Sequence, residues 1–244
     1  MFIQKTEHPS WLSNAFLVAE GPDGHGVLID GNGVVDPLYE RIEKDRITIT
    51  HILVTHEHHD HVVDAADFRV RFGAPVVAHE LTARAVGRVD ETIADGDVVT
   101  SGALELRAIE TPGHSAGHLA LLLNGTDCFT ADCLFKGTVG GCTSRGEVFE
   151  IHKRSIMERL MTLPAETVIH PGHSEHSTIG EEWESNPFVR VWRGLDPEGS
   201  EPCRVSGEEA TLVLWGPDYD GTHKAWVRFP DGDQIVGGSR VERL

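Results

Sequence analysis

The sequence predicts an α+β protein: two β-sheets packed face to face between outer helices, an αββα sandwich, followed by a small β appendage. Short apolar runs separated by Gly and Asp turns recur between residues 14 and 170, as expected of strands. Helical patterns fall irregularly between these runs, which disfavours a doubly wound parallel sheet. Asp196, Pro197, Gly199 and Pro202 indicate a linker. We therefore predict a main domain at 1–195 and an appendage at 196–244.

The first half of the chain contains several short strands and helices. The predicted strands are 14–18, 26–29, 52–54 and 76–78, and the predicted helical segments are 37–44, 62–72 and 81–86. Asp36 is the expected N-cap of the first helix, with Pro37 at its first helical position. Gly73 and Pro75 are expected to end the second helix.

The second half of the main domain continues this pattern. The predicted strands are 98–99, 104–109, 118–123, 127–130 and 167–170. A helix is predicted at 154–163, because Ile156, Leu160 and Leu163 recur on one side of it. In the appendage, strands are predicted at 210–215, 224–229 and 234–236, with a hairpin turn at 230–232. Three or four strands there would form either an SH3-like small barrel or an extra β-layer on the main domain.

Composition limits the classes of function. The 244 residues carry a formal charge of −18 without a dense basic run, which argues against a nucleic-acid partner. No apolar run is long enough to span a bilayer, and the N-terminus lacks the apolar core of a signal peptide. We therefore expect a cytoplasmic protein without a membrane partner. None of the four cysteines forms a C-x-x-C pair, so reduced and mostly buried thiols are expected.

The segment from His56 to His61 indicates a metal site. It places four histidines and one aspartate in six consecutive positions after the apolar run 52–54. Imidazole and carboxylate groups suit zinc, iron or manganese. His56 and His58 lie two residues apart, so an extended chain points them the same way. Asp60 and His61 can face a second metal position as the next helix begins. A His-rich polar loop is the alternative.

Matching ligand types follow later predicted strands. Pro112 and Gly113 form a tight turn that presents His114, and Pro171-Gly172 similarly precedes His173. Asp132 ends another β-run, where an aspartate can also be a helix cap. His118 is expected to be a structural residue or a supporting neighbour of the ligands. The recurrence of such residues at four strand ends favours one metal centre.

In their order and surrounding turns, these residues resemble the metallo-β-lactamase superfamily, and within it the short glyoxalase II-like hydrolases. The similarity spans roughly residues 10 to 190 and is carried by His56, His58, Asp60, His61, His114, Asp132 and His173. Smaller matches occur at 14–18, 28–31, 134–137 and 177–188. The resemblance implies an αββα sandwich that holds two metals, taken as two Zn²⁺ per chain, with one Fe²⁺ or a mixture of Zn, Fe and Mn as the alternatives.

The resemblance also implies a role for each ligand. The first metal would be held by three histidines (His56, His58 and His114), and the second by Asp60, His61 and His173. Asp132 would bridge the two metals. A bridging aspartate favours thioester hydrolysis over antibiotic hydrolysis, because β-lactamases of this fold usually lack one. Two departures stand out: Ala131 replaces the usual glycine before the bridging aspartate, and a β appendage replaces the basic helical region that binds glutathione.

The implied reaction is hydrolysis of a small-molecule thioester of the hydroxyacyl-glutathione type by a metal-bridging hydroxide. Asp60 would orient the nucleophile as well as bind metal. Lys136 would contact an anionic part of the substrate, or is a solvated surface lysine. The main alternative is a persulfide dioxygenase with one iron on His56, His114 and Asp132. Lactonases, phosphodiesterases and a non-enzymatic binding module are further alternatives, and the oligomeric state is left open.

Overall fold

The computed structural model describes residues 1–244, and the chain divides into two compact units. Unit 1 comprises Met1–Glu110 and Ala116–Ala131, and unit 2 comprises Thr111–Ser115 and Asp132–Leu244. No helix in either unit is both long enough and apolar enough to cross a membrane.

Unit 1 contains ten strands and four helices. Six strands form one sheet in sequence order: β1 Phe2–Glu7, β2 Asn14–Ala19, β3 His25–Ile29, β4 Thr48–Val54, β5 Val76–Ala78 and β6 Glu91–Thr92. The antiparallel strands are β7 Val98–Ser101, β8 Leu104–Glu110, β9 Leu119–Leu123 and β10 Asp127–Ala131. The helices are α1 Asp36–Asp45, α2 His59–Val62, α3 Ala65–Phe72 and α4 Glu80–Val86.

The two groups of strands in unit 1 share an apolar core. Phe16 of β2 meets Phe129 of β10 edge to face, with ring centroids 5.1 Å apart, and the residues around them are buried. The opposite face of the first sheet packs against helices through Leu38 of α1 and Phe68 of α3. Helix, sheet and sheet therefore follow one another within unit 1, and the predicted α+β class is confirmed.

The prediction of one helix over 62–72 is wrong, because the chain breaks between α2 and α3. Gly31 N–H donates to the carbonyl of His61 at 2.7 Å, and Gly33 N–H donates to the Asp64 carboxylate at 2.6 Å. A Cβ on Gly31 would lie 2.7 Å from Asp64 Cβ. The 31–33 turn therefore occupies the space beside the helix break and uses Asp64 as an acceptor.

Two further helix predictions differ from the structure. Asp36 is the first residue of α1 rather than its N-cap, which is Val35 and makes no side-chain capping hydrogen bond. The helix predicted at 154–163 instead begins at Glu147 and continues as a π-helix over Ser155–Leu160. Acidic residues in its first turn and basic residues in its last turn complement the helix dipole, which favours the earlier start.

Unit 2 begins with short strands and helices. They are β11 Leu134–Phe135, β12 Thr138–Val139, α5 Glu147–Arg154, the π-helix, β13 Val168–Pro171, β14 Ser177–Thr178, α6 Ile179–Ser185 and α7 Pro187–Trp192. β11 pairs with β12 and β13 pairs with β14, both antiparallel. Asn186 caps α7 by accepting from the backbone N–H groups of Phe188 and Val189, and Pro187 stands in its first turn.

The end of the chain forms an antiparallel sheet, called here the C-terminal sheet. Its strands are β15 Glu201–Val205, β16 Glu208–Pro217, β17 His223–Phe229, β18 Gly232–Gly237 and β19 Val241–Arg243, in the order β18-β17-β16-β15-β19. A two-residue turn, Pro230-Asp231, joins β17 to β18, and the sheet has its own apolar cluster. The predicted domain boundary after residue 195 stays a prediction.

Candidate metal centre

The first group of predicted ligands lies where β4 ends and α2 begins. This N-terminal ligand set consists of His56, His58, Asp60 and His61. His56 and His61 are fully buried, whereas His58 and Asp60 are partly exposed. The chain is extended at His58 and turns helical at His59, so a strand end and a helix start together present all four side chains.

Asp30 and Thr55 determine which nitrogen each buried histidine presents. The Asp30 carboxylate accepts from Thr55 N–H at 2.8 Å, from the Thr55 hydroxyl at 2.7 Å and from His61 Nδ1 at 3.2 Å. Because its proton goes to Asp30, the Thr55 hydroxyl accepts from His56 Nδ1 at 3.0 Å. Both Nδ1 atoms therefore carry the proton, and in each ring Nε2 is the nitrogen that could bind a metal.

The ligating atoms of this set lie close together in two pairs. His56 Nε2 is 3.0 Å from Nδ1 of His58, and His61 Nε2 is 3.6 Å from a carboxylate oxygen of Asp60. These are the two pairs that the resemblance assigns to different metals. In each pair, two metal-binding atoms lie close enough together to bind the same cation.

The second group, called here the C-terminal ligand set, consists of His114, Asp132 and His173 in unit 2. One oxygen of Asp132 lies 3.4 Å from His114 Nε2 and 3.3 Å from His173 Nε2. Asp132 follows β10 directly and is buried. The structure therefore joins both histidines of this set through a single carboxylate.

The Gly140-Gly141 segment orients His114 and Asp132. The carbonyl of Gly141 accepts from His114 Nδ1 at 2.9 Å, which leaves Nε2 directed at Asp132. Gly140 packs so tightly that a Cβ there would lie 1.8 Å from the carbonyl oxygen of Asp132. Its own carbonyl accepts from His152 Nε2 at 3.0 Å.

His152 on α5 supports the turn that carries His114. Gly113 has φ +132°, and a Cβ on it would lie 2.3 Å from His152 Cβ, which explains the glycine in the Pro112-Gly113-His114 motif. Burial lowers the pKa of His152 to about 3, so its imidazole is neutral at physiological pH. A neutral ring can donate to Gly140 without placing a charge beside the ligands.

These distances fit a divalent metal. Zinc–nitrogen bonds of about 2.0–2.1 Å at tetrahedral angles separate neighbouring ligand atoms by about 3.3 Å. The separations within the two sets run from 3.0 to 3.6 Å. Imidazole and carboxylate donors also suit zinc, iron and manganese. Each of these pairs is therefore spaced as two neighbouring ligands of one metal would be.

The remaining predicted residues lie around these sets. His118 is buried, with its ring 5.2 Å from that of His56, as expected of a supporting residue. His59 is exposed and meets the edge of Trp11 at 5.4 Å. Lys136 is exposed in the turn between β11 and β12. The buried Glu182 holds that turn by accepting from Gly137 N–H at 2.8 Å.

Sequence reasoning missed several residues that orient the ligands. Asp30 lies within the matching segment 28–31 and Thr55 directly precedes the segment from His56 to His61, but neither was predicted to orient a ligand. The Gly140-Gly141 pair could have predicted a close contact between two backbone segments, because adjacent glycines near strands often mark such a contact. His152 had no local signal, since one histidine on an amphipathic helix is common.

Sequence comparisons identify the relatives of this chain. Residues 9–173 match the Metallo-beta-lactamase superfamily. An uncharacterized protein of Mycobacterium tuberculosis is 31% identical over 206 residues, covering 72% of this chain and 92% of that protein. A hydroxyacylglutathione hydrolase of Chelativorans sp. is 36% identical over 167 residues. That match covers 67% of this chain but only 60% of the hydrolase.

Solved structures with a similar fold include two of at least 28% sequence identity to this chain. ETHE1 from Myxococcus xanthus superposes with a TM-score of 0.72 at 28% identity, covering 78% of this chain and 85% of that one. TTHA1623 in a di-iron-bound form superposes with a TM-score of 0.64 at 31% identity, covering 76% and 99%. These likenesses confirm the predicted metallo-β-lactamase fold. Fold, ligand types and sequence match agree, and the chain belongs to the metallo-β-lactamase superfamily.

Proposed function

We propose that the chain is a metal-dependent hydrolase that cleaves a thioester of the hydroxyacyl-glutathione type. The observation that carries this proposal is the position of Asp132. One of its two carboxylate oxygens faces both His114 and His173. A carboxylate placed between two histidines suits a bridge between two metals. The similarity to hydroxyacylglutathione hydrolases supports the same activity.

The two ligand sets would together hold two metals in this proposal. His56, His58 and His114 would hold one metal, Asp60, His61 and His173 the other, and Asp132 would bridge them. Bound there, the metals would supply Lewis acidity and lower the pKa of a water from about 15.7 toward about 7. Asp60 would accept a hydrogen bond from the attacking water and orient it. The thiolate product is a good leaving group, so the chain needs no strong general acid.

Glutathione is one of several candidates for the thiol carrier of the substrate. This chain spans 60% of the length of the Chelativorans hydrolase, and it has the C-terminal sheet in place of the basic helical region that the resemblance associates with glutathione binding. Another low-molecular-weight thiol or coenzyme A would present the same thioester carbonyl. Lys136, exposed beside β11, is the proposed contact for an anionic part of the carrier. We place the reaction in the cytoplasm, on small molecules.

Metal analysis and thioester turnover test the proposal. Protein expressed without added metal should contain two zinc ions per chain and hydrolyse a hydroxyacyl-glutathione thioester. Asp132→Ala should lose at least about 100-fold in kcat/KM, because it removes the carboxylate that would bind both metals. Asp127→Ala, at the other end of β10, is the matched control and should retain activity. Unchanged turnover in Asp132→Ala would refute the dinuclear mechanism.

A persulfide dioxygenase is the second candidate, favoured by the likeness to ETHE1. One iron on His56, His114 and Asp132 would form the two-histidine, one-carboxylate set typical of iron oxygenases. Oxygen consumption with glutathione persulfide measures this activity directly. One iron per chain, no zinc and rapid oxygen uptake would favour this candidate over the hydrolase.

A further inference from the structure

An aromatic residue of the C-terminal sheet lies against a predicted metal ligand. The ring of Tyr219 stacks on the imidazole of His173, with centroids 4.3 Å apart and planes inclined by 17°. Phe135 makes T-shaped contacts with both rings, with its centroid 5.0 Å from that of Tyr219 and 5.7 Å from that of His173. The His173 ring therefore contacts two aromatic side chains, one stacked on it and one T-shaped.

The loop that carries Tyr219 is itself well ordered by hydrogen bonds. It spans residues 218–222 between β16 and β17. Asp218 N–H donates to the carbonyl of Thr222 at 3.0 Å, and Asp220 accepts from both the N–H and the hydroxyl of Thr222. Asx turns of this kind fix the backbone at a loop tip. Tyr219 is thus presented by a defined turn.

A buried ion pair anchors the same loop to the sheet. Lys224 Nζ lies 3.0 Å from the Asp218 carboxylate, and the two side chains are only 9% and 8% exposed. Lys224 Nζ also lies 5.5 Å from the centroid of the Tyr219 ring, within the range of a cation–π contact. Breaking a buried pair by removing one partner is costly, so the position of the loop is tightly specified.

We infer that Tyr219 is a positioning residue for the ligand His173. The C-terminal sheet would then help to orient a ligand of the metal centre. The inference rests on the proposed function in taking His173 as a ligand. Stacking restricts rotation of the imidazole about its side-chain bonds and keeps Nε2 directed at Asp132. A ligand that is held in its binding orientation loses less entropy when the metal binds.

Cobalt titration of metal-free protein tests the inference without substrate. Co²⁺ binding is followed by visible absorption in wild type, Tyr219→Phe and Tyr219→Leu. Tyr219→Leu should weaken one binding step about 10- to 100-fold, the usual effect of losing a group that orients a ligand. Tyr219→Phe keeps the stacked ring and should bind as wild type does. Tyr219→Met replaces Tyr219→Leu if the latter does not fold.

A matched control lies in the same sheet. His223 stacks on Trp215 with centroids 4.8 Å apart and an angle of 22°, and His223→Ala removes that stack without touching a ligand. It should leave both cobalt steps unchanged. Wild-type cobalt binding by Tyr219→Leu would overturn the inference, as would equal weakening by Tyr219→Phe. Equal weakening of both steps, with a lower Tm of the metal-free protein, would also overturn it, because that result indicates a general loss of structure.

Failure of the inference can be distinguished from failure of the proposed function. A wild-type protein that hydrolyses thioesters, together with a Tyr219→Leu variant of unaltered cobalt affinity, would leave the function standing and reject the role of Tyr219. A wild type that binds cobalt in two steps but hydrolyses no thioester would reject the function, while the variants would still decide the inference. A wild type that binds no cobalt would reject both.

Discussion

The carboxylate of Asp30 lies 3.2 Å from Nδ1 of His61, with both side chains buried. It also accepts from the N–H and the hydroxyl of Thr55, and the same hydroxyl faces His56 Nδ1. One carboxylate outside the predicted ligand list therefore sets the orientation of two histidines within it. Carboxylate–histidine–metal arrangements commonly depend on such a partner.

Asp30→Asn should weaken metal binding about 10- to 100-fold while preserving the fold. The asparagine oxygen can still accept from Thr55 N–H, but its amide would donate to His61 Nδ1. That hydrogen bond moves the imidazole proton to Nε2, the atom that would otherwise bind the metal. Zinc competition with a chromogenic chelator measures the affinity, and circular dichroism monitors the fold. Zinc affinity equal to wild type would show that Asp30 does not select the tautomer.

Ala131→Gly should stabilise the protein. Ala131 has φ +42°, a left-handed conformation that costs a non-glycine residue roughly 1–2 kcal/mol. Glycine removes that cost but gains unfolded-state entropy worth about 0.4–1 kcal/mol. A net gain of up to about 1.5 kcal/mol should raise the Tm by up to about 6 °C in a chain of this size. We therefore expect that alanine at position 131, in place of the family's usual glycine, lowers the stability of the fold.

Ala66→Gly is the matched control for that substitution. Ala66 is exposed within α3, where glycine costs about 1 kcal/mol relative to alanine. The two alanine-to-glycine changes should therefore move the Tm of the metal-free protein in opposite directions. A lower Tm for both would mean that the backbone at Ala131 is not strained.

Most strands could be predicted from the sequence because their signals are local. The strand predicted at 104–109 is β8 Leu104–Glu110, and the strand predicted at 224–229 is β17 His223–Phe229. The π-helix was not predictable, because Ile156 and Leu160 have the same spacing in an α-helix. The break before α3 was also missed, since it depends on Gly31 and Gly33, which are distant in sequence.

The candidate ligands were more predictable than the residues that orient them. Histidines and aspartates at strand ends are conspicuous by residue type. Asp30 reaches Thr55 only because β3 and β4 pair in parallel, with Ile29 opposite Leu53. Tyr219 reaches His173 from a sheet whose sequence contains no metal motif. Such contacts depend on tertiary structure and leave no pattern in the sequence near the ligands.

Glu182→Gln should make stability less dependent on pH. Burial raises the pKa of Glu182 above its ordinary value of 4.5, so the folded state holds a proton that the unfolded state releases. The stabilisation from this group is fully present below pH 4.5 and is lost as pH rises through the raised pKa. Glutamine stays neutral and can keep the hydrogen bonds to Gly137, Asn186 and Ser177.

Urea unfolding of metal-free protein between pH 4.5 and 8 measures this difference. The wild-type free energy of unfolding should fall more steeply with rising pH than that of Glu182→Gln. Glu182→Ala is the contrasting variant, because it leaves the partly buried N–H of Gly137 without its acceptor and should destabilise the protein at every pH. Parallel pH profiles for wild type and Glu182→Gln would show that Glu182 does not contribute to the pH dependence.

Gly140→Ala should disable the C-terminal ligand set. Its Cβ would lie 1.8 Å from the carbonyl oxygen of Asp132 and 3.2 Å from Nδ1 of His114, so the backbone beside both ligands must move. Displacement of a positioned group by about 1 Å can cost about 100-fold in rate. Gly141→Ala is the adjacent control, because its Cβ would meet only the Ile235 carbonyl, at an ordinary 3.4 Å. Thioester kcat/KM and zinc content should fall in Gly140→Ala but not in Gly141→Ala. Equal losses in both variants would mean that the close approach of Gly140 to Asp132 does not hold the ligands in place.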